Sequence, residues 1–321
     1  MAVTGGIWAG RGLSFRGFGH YFPQRWEPTP ADLPEAPAME AAILGPDLGV
    51  AGRHLSDDSE TVPYMAVEAG RRALDNAGLE GGDLDLVVFS SWSQRRYAPE
   101  DGPRIALRLG ARRALAFDVC AACVGFVHGV QTAAALLTSH QWRRALVICS
   151  DQFSRRLKPG RRGSYVGGDG AGAAVLEVGP PDDSRLRDSV VLSYGEHAGV
   201  SKARGTDGWT VSLPTIADVA AETAGEATDL VLRRNGMTLA DIDWVVPHPG
   251  SVRISEQLLA RIGADPARVL TNLHTRGQTT SATIPTALSE YVESGRLGKG
   301  DVILSPAAGA GWFSGALLYQ L

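Results

Sequence analysis

The chain has few cysteines and no long hydrophobic run. Its 321 residues include only three cysteines, Cys120, Cys123 and Cys149, and such a small odd number argues against a disulfide framework and for a reducing compartment. No apolar run approaches the roughly 18–20 residues that a membrane span requires. The N-terminus lacks a compact apolar segment after a basic start, so no signal peptide is expected. Together these absences predict a cytoplasmic protein.

An excess of basic residues is also absent. The net charge is −4 and the isoelectric point is about 6.0, which argues against a nucleic-acid partner because phosphate binding needs a basic face. No histidine has metal-ligand spacing with another histidine or with a cysteine, so we expect no metal site. The glycine-rich segment GGDGAGA leads into a strand-like run and does not open a helix, which excludes the dinucleotide fingerprint.

Short apolar runs alternate with helical patterns along the chain. The strand candidates are 83–91, 143–151, 172–179, 189–195, 241–248, 301–307 and the C-terminal GALLYQL. The helical patterns lie at 66–77, 124–137, 216–235, 251–262 and 284–295. This alternation predicts an α/β chain with mostly parallel sheets that are covered on both faces.

An internal repeat adds to this prediction. Residues 73–91 align without gaps with residues 231–249, and the alignment superposes a glycine, two aspartates and a valine. The polar segment 179–189, which contains paired prolines, separates the two parts of the chain. We therefore predict two similar halves, 1–179 and 188–321. The alternative is a chance similarity between two αβ units.

Two residues are candidates for chemistry. Cys123 lies in FDVCAACVGF, between a short strand and a buried helix, and a helix N-terminus favours a thiolate. The alternative for an isolated cysteine is a small core residue, which is our interpretation of Cys120 and Cys149. His248 ends an apolar strand, where functional groups of α/β sheets gather. Alone, it would more often be a structural histidine.

Taken together, these segments resemble the ketoacyl synthase III branch of the thiolase superfamily. The motifs FDVCAACVGF, SYVGGDGAGAAVL, WVVPHPGSVRI and GAGWFSGAL carry the resemblance. It implies a thiolase-like fold of two βαβαβαββ halves in five α-β-α-β-α layers, and a homodimer. It also implies that Cys123 is the nucleophile, that His248 is the catalytic histidine, and that the backbone N–H groups of Cys123 and Ala310 form the oxyanion hole. No cofactor is implied, because the phosphopantetheine that carries the acyl group is part of the substrate.

The third catalytic residue of the family, an asparagine, is replaced here. In the family, histidine and asparagine donate hydrogen bonds to the malonyl thioester and stabilise the enolate that remains after loss of CO2. The turn RGQTTSATIP places Gln278 at the asparagine position. Glutamine keeps the amide donor but moves it by one methylene, about 1.5 Å, and a displacement near 1 Å can reduce a rate about a hundredfold. Either the backbone adjusts around Gln278, or decarboxylation is weakened or lost.

The resemblance also assigns residues to the acyl carrier. Arg162 and Arg253 match arginines that meet the phosphopantetheine or nucleotide, and Arg261 lies two turns beyond Arg253, where it could contact an acidic carrier protein. The tryptophan and arginine that sandwich the CoA adenine fall on Ile43 and Asp47. This departure favours an acyl carrier protein over acyl-CoA as the donor. A basic cluster over 155–162 either holds a phosphate or an acidic partner or is a solvated loop.

One family position bears on the acyl group. The residue that caps the acyl pocket of the partner subunit, often phenylalanine in the family, falls on Ala98. A smaller side chain there predicts an acyl group larger than acetyl. Tyr97 would reverse this prediction by turning inward.

Three functions follow from the resemblance. The first is decarboxylative condensation of an acyl thioester with malonyl carrier protein through acyl-Cys123, with ping-pong kinetics. The second is transfer of the acyl group from Cys123 to an alcohol, amine or thiol without a new carbon–carbon bond. The third is a non-catalytic partner that docks a carrier protein or a true synthase, against which the retention of Cys123 and His248 argues.

Overall fold

A computed structural model describes residues 5–45, 47–94, 98–183, 185–203, 208–211 and 214–321. Its strands are β1 Leu13–Tyr21, β2 Trp26–Pro28, β3 Gly52–His54, β4 Leu86–Ser90, β5 Leu115–Val119, β6 Arg144–Gln152, β7 Asp169–Val178, β8 Leu186–Ser193, β9 Ser201–Lys202, β10 Thr210–Val211, β11 Trp244–Val245, β12 Val302–Gly309 and β13 Phe313–Gln320. Its α-helices are α1 Ala38–Leu44, α2 Val62–Ala77, α3 Gly102–Arg108, α4 Gly125–His140, α5 Ile216–Arg234, α6 Val252–Ile262, α7 Leu273–Arg276 and α8 Thr283–Glu293.

Two sheets with the same strand order form the frame of the protein. The first has the order β1-β7-β6-β4-β5, and the second has the order β8-β13-β12-β11. A parallel bridge from Val245 to Val269 extends the second sheet beyond β11. In both sheets the first two pairings are antiparallel and the following ones parallel. The four strands of the second sheet therefore repeat the first four of the first sheet, which agrees with the two similar halves of the expected fold. Four of these seven pairings are antiparallel, so the prediction of mostly parallel sheets was wrong.

The helices complete five layers. Helices α2 and α3 cover the outer face of the first sheet, and α5 covers the outer face of the second with α6 packed on it. Helices α4 and α8 lie between the sheets, since α4 packs on strands of both and α8 packs on β1 and β7. The largest apolar core surrounds this central layer and includes Phe126 and Leu137 of α4. The order α-β-α-β-α is the one that the resemblance implies.

The central helix qualifies one expectation from the sequence. By length and composition alone, Ala122–His140 could cross a membrane, and half of that window is buried within the protein. The helix is apolar because it packs against both sheets. Its buried residues include the small Ala133 and Ala134, which do not stand out in the sequence as a hydrophobic run. The expectation that no apolar run reaches this length was therefore too broad.

The repeated segments also share local structure. Helices α2 and α5 are each followed by a glycine in the left-handed region, Gly78 at φ 66° and Gly236 at φ 62°. A 3₁₀ turn follows each glycine, and Asp83 and Asp241 cap these turns in the same way. The point at which the chain divides into two halves stays a prediction.

Strand β1 is an element that the sequence did not predict. It pairs with β7 at the edge of the first sheet, although its glycines give it a low strand propensity. These glycines allow α2 to approach the strand closely. A Cβ on Gly19 would lie 2.3 Å from the Ala69 carbonyl oxygen, and a Cβ on Gly17 would lie 2.5 Å from that of Ala73. Helix packing, and not strand propensity, therefore explains the composition of β1.

The variant Gly19→Ala is expected to lower the free energy of unfolding by about 1–3 kcal/mol, because the new methyl group would overpack the contact between β1 and α2. Gly82→Ala is the control, since its Cβ would meet no atom within 4 Å. Urea unfolding followed by circular dichroism measures both effects. Equal midpoints for the two variants would contradict the close packing.

Candidate active site

Cys123 lies on a tight turn at the start of the central helix. It is the middle residue of a 3₁₀ turn, Ala122–Val124, that leads directly into α4. Ala122 has a φ of 43°, in the left-handed region that residues other than glycine rarely adopt. Gly125 lets the turn press against the end of β4, since a Cβ there would lie 2.2 Å from the Ser90 hydroxyl. This packing holds the half-buried cysteine at the wall of a cavity of about 970 Å³.

The same cavity brings the predicted catalytic residues together. Cys123, His248, Gln278 and Ala310 all line it. Cys123 comes from the first half of the chain, whereas the other three residues come from the second half. His248 follows β11, and its backbone N–H donates to the Pro306 carbonyl at 2.9 Å. The three predicted side chains therefore line one cavity.

Burial keeps His248 neutral. Its side chain is almost inaccessible to solvent, with 4% exposed. Burial lowers the pKa of His248 to about 4, although a hydrogen bond with the Thr280 backbone acts to raise it. At neutral pH the imidazole therefore carries no charge. A neutral imidazole has one N–H donor and one nitrogen acceptor, so His248 can either donate a hydrogen bond or take up a proton.

The structure corrects the expectation of a resting thiolate at Cys123. Burial, followed by the nearby Asp151 carboxylate, raises the pKa of the Cys123 thiol to about 12. The helix N-terminus acts in the opposite direction, but a helix dipole contributes at most about 2 kcal/mol, or roughly a thirtyfold change in an ionisation constant. Cys123 is therefore a protonated thiol at neutral pH, and a base would have to remove its proton for it to act as a nucleophile.

Gln278 presents its amide as a fixed donor. Its Oε1 accepts a hydrogen bond from the Thr280 backbone N–H at 2.8 Å, which only an oxygen can do, so the orientation of the amide is determined. Within the described residues, Nε2 has no hydrogen-bond acceptor. The backbone of Gln278 is held on both sides, with its N–H bound to Val166 at 2.8 Å and its carbonyl bound by Gly168 at 3.0 Å. This arrangement leaves the Nε2 donor for a ligand in the cavity.

The expected oxyanion hole lies where two turns meet. The turn between β12 and β13 approaches Cys123 so closely that a Cβ on Gly309 would lie 2.9 Å from the Cys123 backbone nitrogen. Ala310 follows Gly309 on the cavity wall. The assignment of the Cys123 and Ala310 N–H groups to the oxyanion hole stays a prediction.

The three arginines assigned to the acyl carrier do not lie together at this cavity. Arg162 lines a separate cavity of about 370 Å³ with Asp47, and Arg253 lies exposed on α6. Arg261 forms ion pairs with Glu222 at 2.9 Å and Asp229 at 3.1 Å. Arg261 therefore links α6 to α5 through these carboxylates. Its contact with a carrier protein stays a prediction.

Other residues supply the charge and the apolar surface of the cavity. The cations that line it are Arg156, Lys158, Arg161 and Lys202. Three of them belong to the basic cluster over 155–162, and Lys202 was missed because nothing in its local sequence marks it. An aromatic wall adds to this lining: Phe153 packs edge-on against Trp92 and Trp209, at centroid distances of 5.6 and 5.8 Å.

The remaining sequence predictions fall on different parts of the structure. Ile43 lies buried on the cavity wall, and the Asp47 carboxylate accepts a hydrogen bond from the Gly49 N–H at 2.8 Å. Ala98 is exposed and does not belong to the cavity lining of the described residues. Tyr97 lies outside the described residues.

Comparisons with known proteins identify relatives of this chain. The family described as 3-oxoacyl-[acyl-carrier-protein (ACP)] synthase III matches residues 117–195, and that of its C-terminal part matches residues 232–321. The beta-ketoacyl-[acyl-carrier-protein] synthase III of Acidiphilium cryptum is 35% identical over 95% of this chain and 98% of its own length.

Solved structures of similar proteins have the same fold. The 3-oxoacyl-[acyl-carrier-protein] synthase III of Aquifex aeolicus superposes with a TM-score of 0.87 at 26% identity, over 97% of this chain and all of that one, 100%. The priming beta-ketosynthase from the R1128 polyketide biosynthetic pathway gives a TM-score of 0.86 at 28% identity, over 97% of this chain and 96% of that one. Both superpositions extend over the two halves of the chain.

The protonated state of Cys123 predicts an unusual order of thiol reactivity. Cys120 is exposed, so its interpretation as a core residue was wrong. Near pH 7.5, iodoacetamide should label Cys120 at least about tenfold faster than Cys123, because only the thiolate reacts. Labelling of Cys123 should continue to accelerate above pH 9, because the thiolate fraction keeps rising as the pH approaches the raised pKa of Cys123. Peptide mass spectrometry measures both rates, with Cys123→Ala as the control for assignment. Faster labelling of Cys123 at neutral pH would contradict the account.

Proposed function

The chain belongs to the 3-oxoacyl-[acyl-carrier-protein] synthase III family, and we propose that it condenses an acyl thioester with malonyl carrier protein to a 3-oxoacyl product. This reaction would start a polyketide or fatty-acid chain. The observation that carries the proposal is the single cavity that joins Cys123, His248 and Gln278. The proposed reaction uses no metal and no cofactor other than the phosphopantetheine arm of the carrier.

The first half-reaction loads the acyl group onto Cys123. The Cys123 sulfur attacks the acyl thioester while its proton passes to the neutral His248. The backbone N–H groups of Cys123 and Ala310 hold the oxyanion, and one such donor contributes about 3 kcal/mol to the transition state. The tetrahedral intermediate then collapses, the carrier thiolate leaves, and it takes the proton from His248. Acyl-Cys123 and a free carrier thiol result.

The second half-reaction forms the carbon–carbon bond. His248 and the Nε2 group of Gln278 donate hydrogen bonds to the thioester carbonyl of the malonyl group. Loss of CO2 leaves an enolate, whose charge these two donors stabilise. The enolate carbon attacks the carbonyl carbon of acyl-Cys123, and the Cys123 thiolate is expelled and takes up a proton from solvent. The product is a 3-oxoacyl thioester on the carrier.

Acyl transfer without condensation is the second candidate. The observation that favours it is the glutamine itself, because the additional methylene changes the reach of the amide relative to the asparagine of the family. In this reaction, His248 would act as base on an alcohol, amine or thiol that takes the acyl group from Cys123. The fixed Gln278 amide, with Nε2 left for a ligand, supports condensation over this candidate.

We also propose an acyl carrier protein as the donor and the cytoplasm as the location. Ile43 and Asp47 replace the residues that hold the CoA adenine in the family, and Ile43 is buried in the cavity wall. The cations Lys158, Arg161 and Lys202 line the same cavity and suit the phosphate of the phosphopantetheine arm. The similar priming beta-ketosynthase supports a role in a polyketide pathway.

Two half-reactions allow a direct test of the proposed function. Enzyme preloaded at Cys123 should release CO2 from malonyl carrier protein and form a 3-oxo product, whereas Cys123→Ala should form neither acyl-enzyme nor product. Gln278→Ala should reduce CO2 release about a hundredfold, the loss expected for one oxyanion donor. Radiolabelled CO2 and product mass measure these outcomes. Stable acyl-enzyme without CO2 release would contradict condensation and favour acyl transfer.

A homodimer across β5 is the proposed assembly. Strand β5 lies at the edge of the first sheet, where unpaired backbone groups invite a second strand. Leu115 of β5 is 47% exposed, and Leu107 of the adjoining α3 is 56% exposed. Ala98 would then act in the partner's acyl pocket, as predicted from the resemblance.

Light scattering after size exclusion should give the mass of a dimer. The double variant Leu107→Glu/Leu115→Glu should shift it to the monomer, because paired copies would bury the new charges. Val292→Glu is the control at another exposed apolar residue, 38% exposed on α8. A dimer that survives the double variant, or a monomeric wild type, would contradict this assembly.

A further inference from the structure

A fully buried carboxylate joins the two halves of the chain behind the active site. Asp151 lies near the C-terminal end of β6 and is 0% exposed. Its Oδ1 accepts hydrogen bonds from the loop that follows β4, and its Oδ2 accepts them from the turn that carries Gln278. The donors to Oδ1 are the Ser91 hydroxyl at 3.0 Å, the Trp92 N–H at 3.1 Å, the Ser93 N–H at 3.0 Å and the Ser93 hydroxyl at 2.7 Å. The donors to Oδ2 are the Thr280 hydroxyl, the Ser281 N–H at 3.3 Å and the Ser281 hydroxyl at 2.6 Å.

These contacts suit an ionised carboxylate. Each partner is a hydroxyl or a backbone N–H that can donate, and an ionised carboxylate only accepts. No salt bridge reaches Asp151 among the residues that the structure describes. A buried charge without a counterion is stable only when hydrogen bonds satisfy it, so the seven donors and the carboxylate depend on one another.

The turn held by Asp151 is strained. Thr280 has a φ of 53°, which a β-branched residue rarely adopts, so the surrounding contacts must hold it there. The Thr280 hydroxyl binds Asp151, and the Thr280 N–H binds Oε1 of Gln278 at 2.8 Å. A short chain of contacts thus connects the carboxylate to the amide that faces the cavity.

We propose that Asp151 is a positioning residue for the decarboxylation half-reaction. It holds the strained turn so that Gln278 and His248 can donate hydrogen bonds to the same thioester carbonyl. The inference rests on the proposed function. It assigns to Asp151 no contact with substrate. The second half-reaction would then require the turn held by Asp151, whereas the loading of Cys123 would not.

The charge of Asp151 has the opposite effect on the loading step. Among charged side chains of the described residues, only Asp151 shifts the pKa of Cys123, and it raises that pKa. Removal of the charge should therefore make the Cys123 thiol easier to ionise. Asp151→Asn should slow decarboxylation and leave the loading of Cys123 intact or faster. A merely structural role would slow both half-reactions together.

The experiment compares Asp151→Asn with the wild-type enzyme in three assays: loading of Cys123 by intact mass, CO2 release from malonyl carrier protein, and iodoacetamide labelling of Cys123 against pH. We expect CO2 release to fall at least about tenfold, loading to be unchanged or faster, and the labelling profile to move to lower pH. The control is Asp188→Asn, a second buried aspartate, bound by Arg234 and Asn235 away from the cavity. It should change both half-reactions by one factor and leave the labelling profile in place.

A second pair of variants tests the same claim if Asp151→Asn does not fold. Thr280→Val removes the hydroxyl that reaches Asp151 but keeps the shape of the side chain and the charge. It should reduce CO2 release without moving the labelling profile, and Thr280→Ser, which keeps the hydroxyl, should recover most of the loss.

Three results would overturn the inference. Unchanged CO2 release in Asp151→Asn and Thr280→Val would show that the turn needs no such support. Equal loss in both half-reactions of Asp151→Asn, with an unmoved labelling profile, would reduce Asp151 to a structural residue. Wild-type enzyme that loads Cys123 but releases no CO2 would refute the proposed function itself, and this inference with it.

Discussion

The active site depends on one buried carboxylate that receives hydrogen bonds from both halves of the chain. Strands β4 and β6 are parallel neighbours in the first sheet. The loop after β4 and Asp151 near the end of β6 therefore meet at the carboxyl end of the strands. The turn that carries Gln278 comes from the second half and completes the coordination of Asp151. Since Cys123 is contributed by the first half, the contacts to Asp151 set the relative position of nucleophile and amide.

Burial acts on the two proton-transfer groups in opposite directions. It raises the pKa of the Cys123 thiol to about 12 and lowers the pKa of His248 to about 4, so both groups are neutral in the empty site. A neutral pair has little reactivity toward stray electrophiles, since the thiolate is the nucleophile. Charge then develops only when a thioester brings its carbonyl to donors that are already in place, as preorganised electrostatic stabilisation requires. In this account, substrate binding and activation of the nucleophile are one event.

Much of the fold could be predicted from the sequence, because strands β4, β6 and β12 and helices α4, α5 and α6 follow apolar periodicity. Strand β1 could not be predicted, since its glycines are required by the close packing of α2 and lower its strand propensity. Cys123, His248 and Gln278 were identified from motifs, and the structure brings them to one cavity. The ion pairs of Arg261 could not be predicted because its partners Glu222 and Asp229 lie on another helix, α5, and its contact with a carrier protein stays a prediction. Asp151 also ends a predicted strand, but it was missed because its donors lie in the loop after β4 and in the turn at Gln278, which only the tertiary structure brings together.

A crystal structure with a bound, non-decarboxylating malonyl thioester analogue tests the central claim most directly. The account predicts that the thioester carbonyl oxygen accepts hydrogen bonds from His248 and from Nε2 of Gln278, each at about 2.9 Å. Oε1 of Gln278 should still bind the Thr280 N–H, and Thr280 should still bind Asp151. A Gln278 amide turned away from the carbonyl, with the analogue held by other donors, would contradict the account.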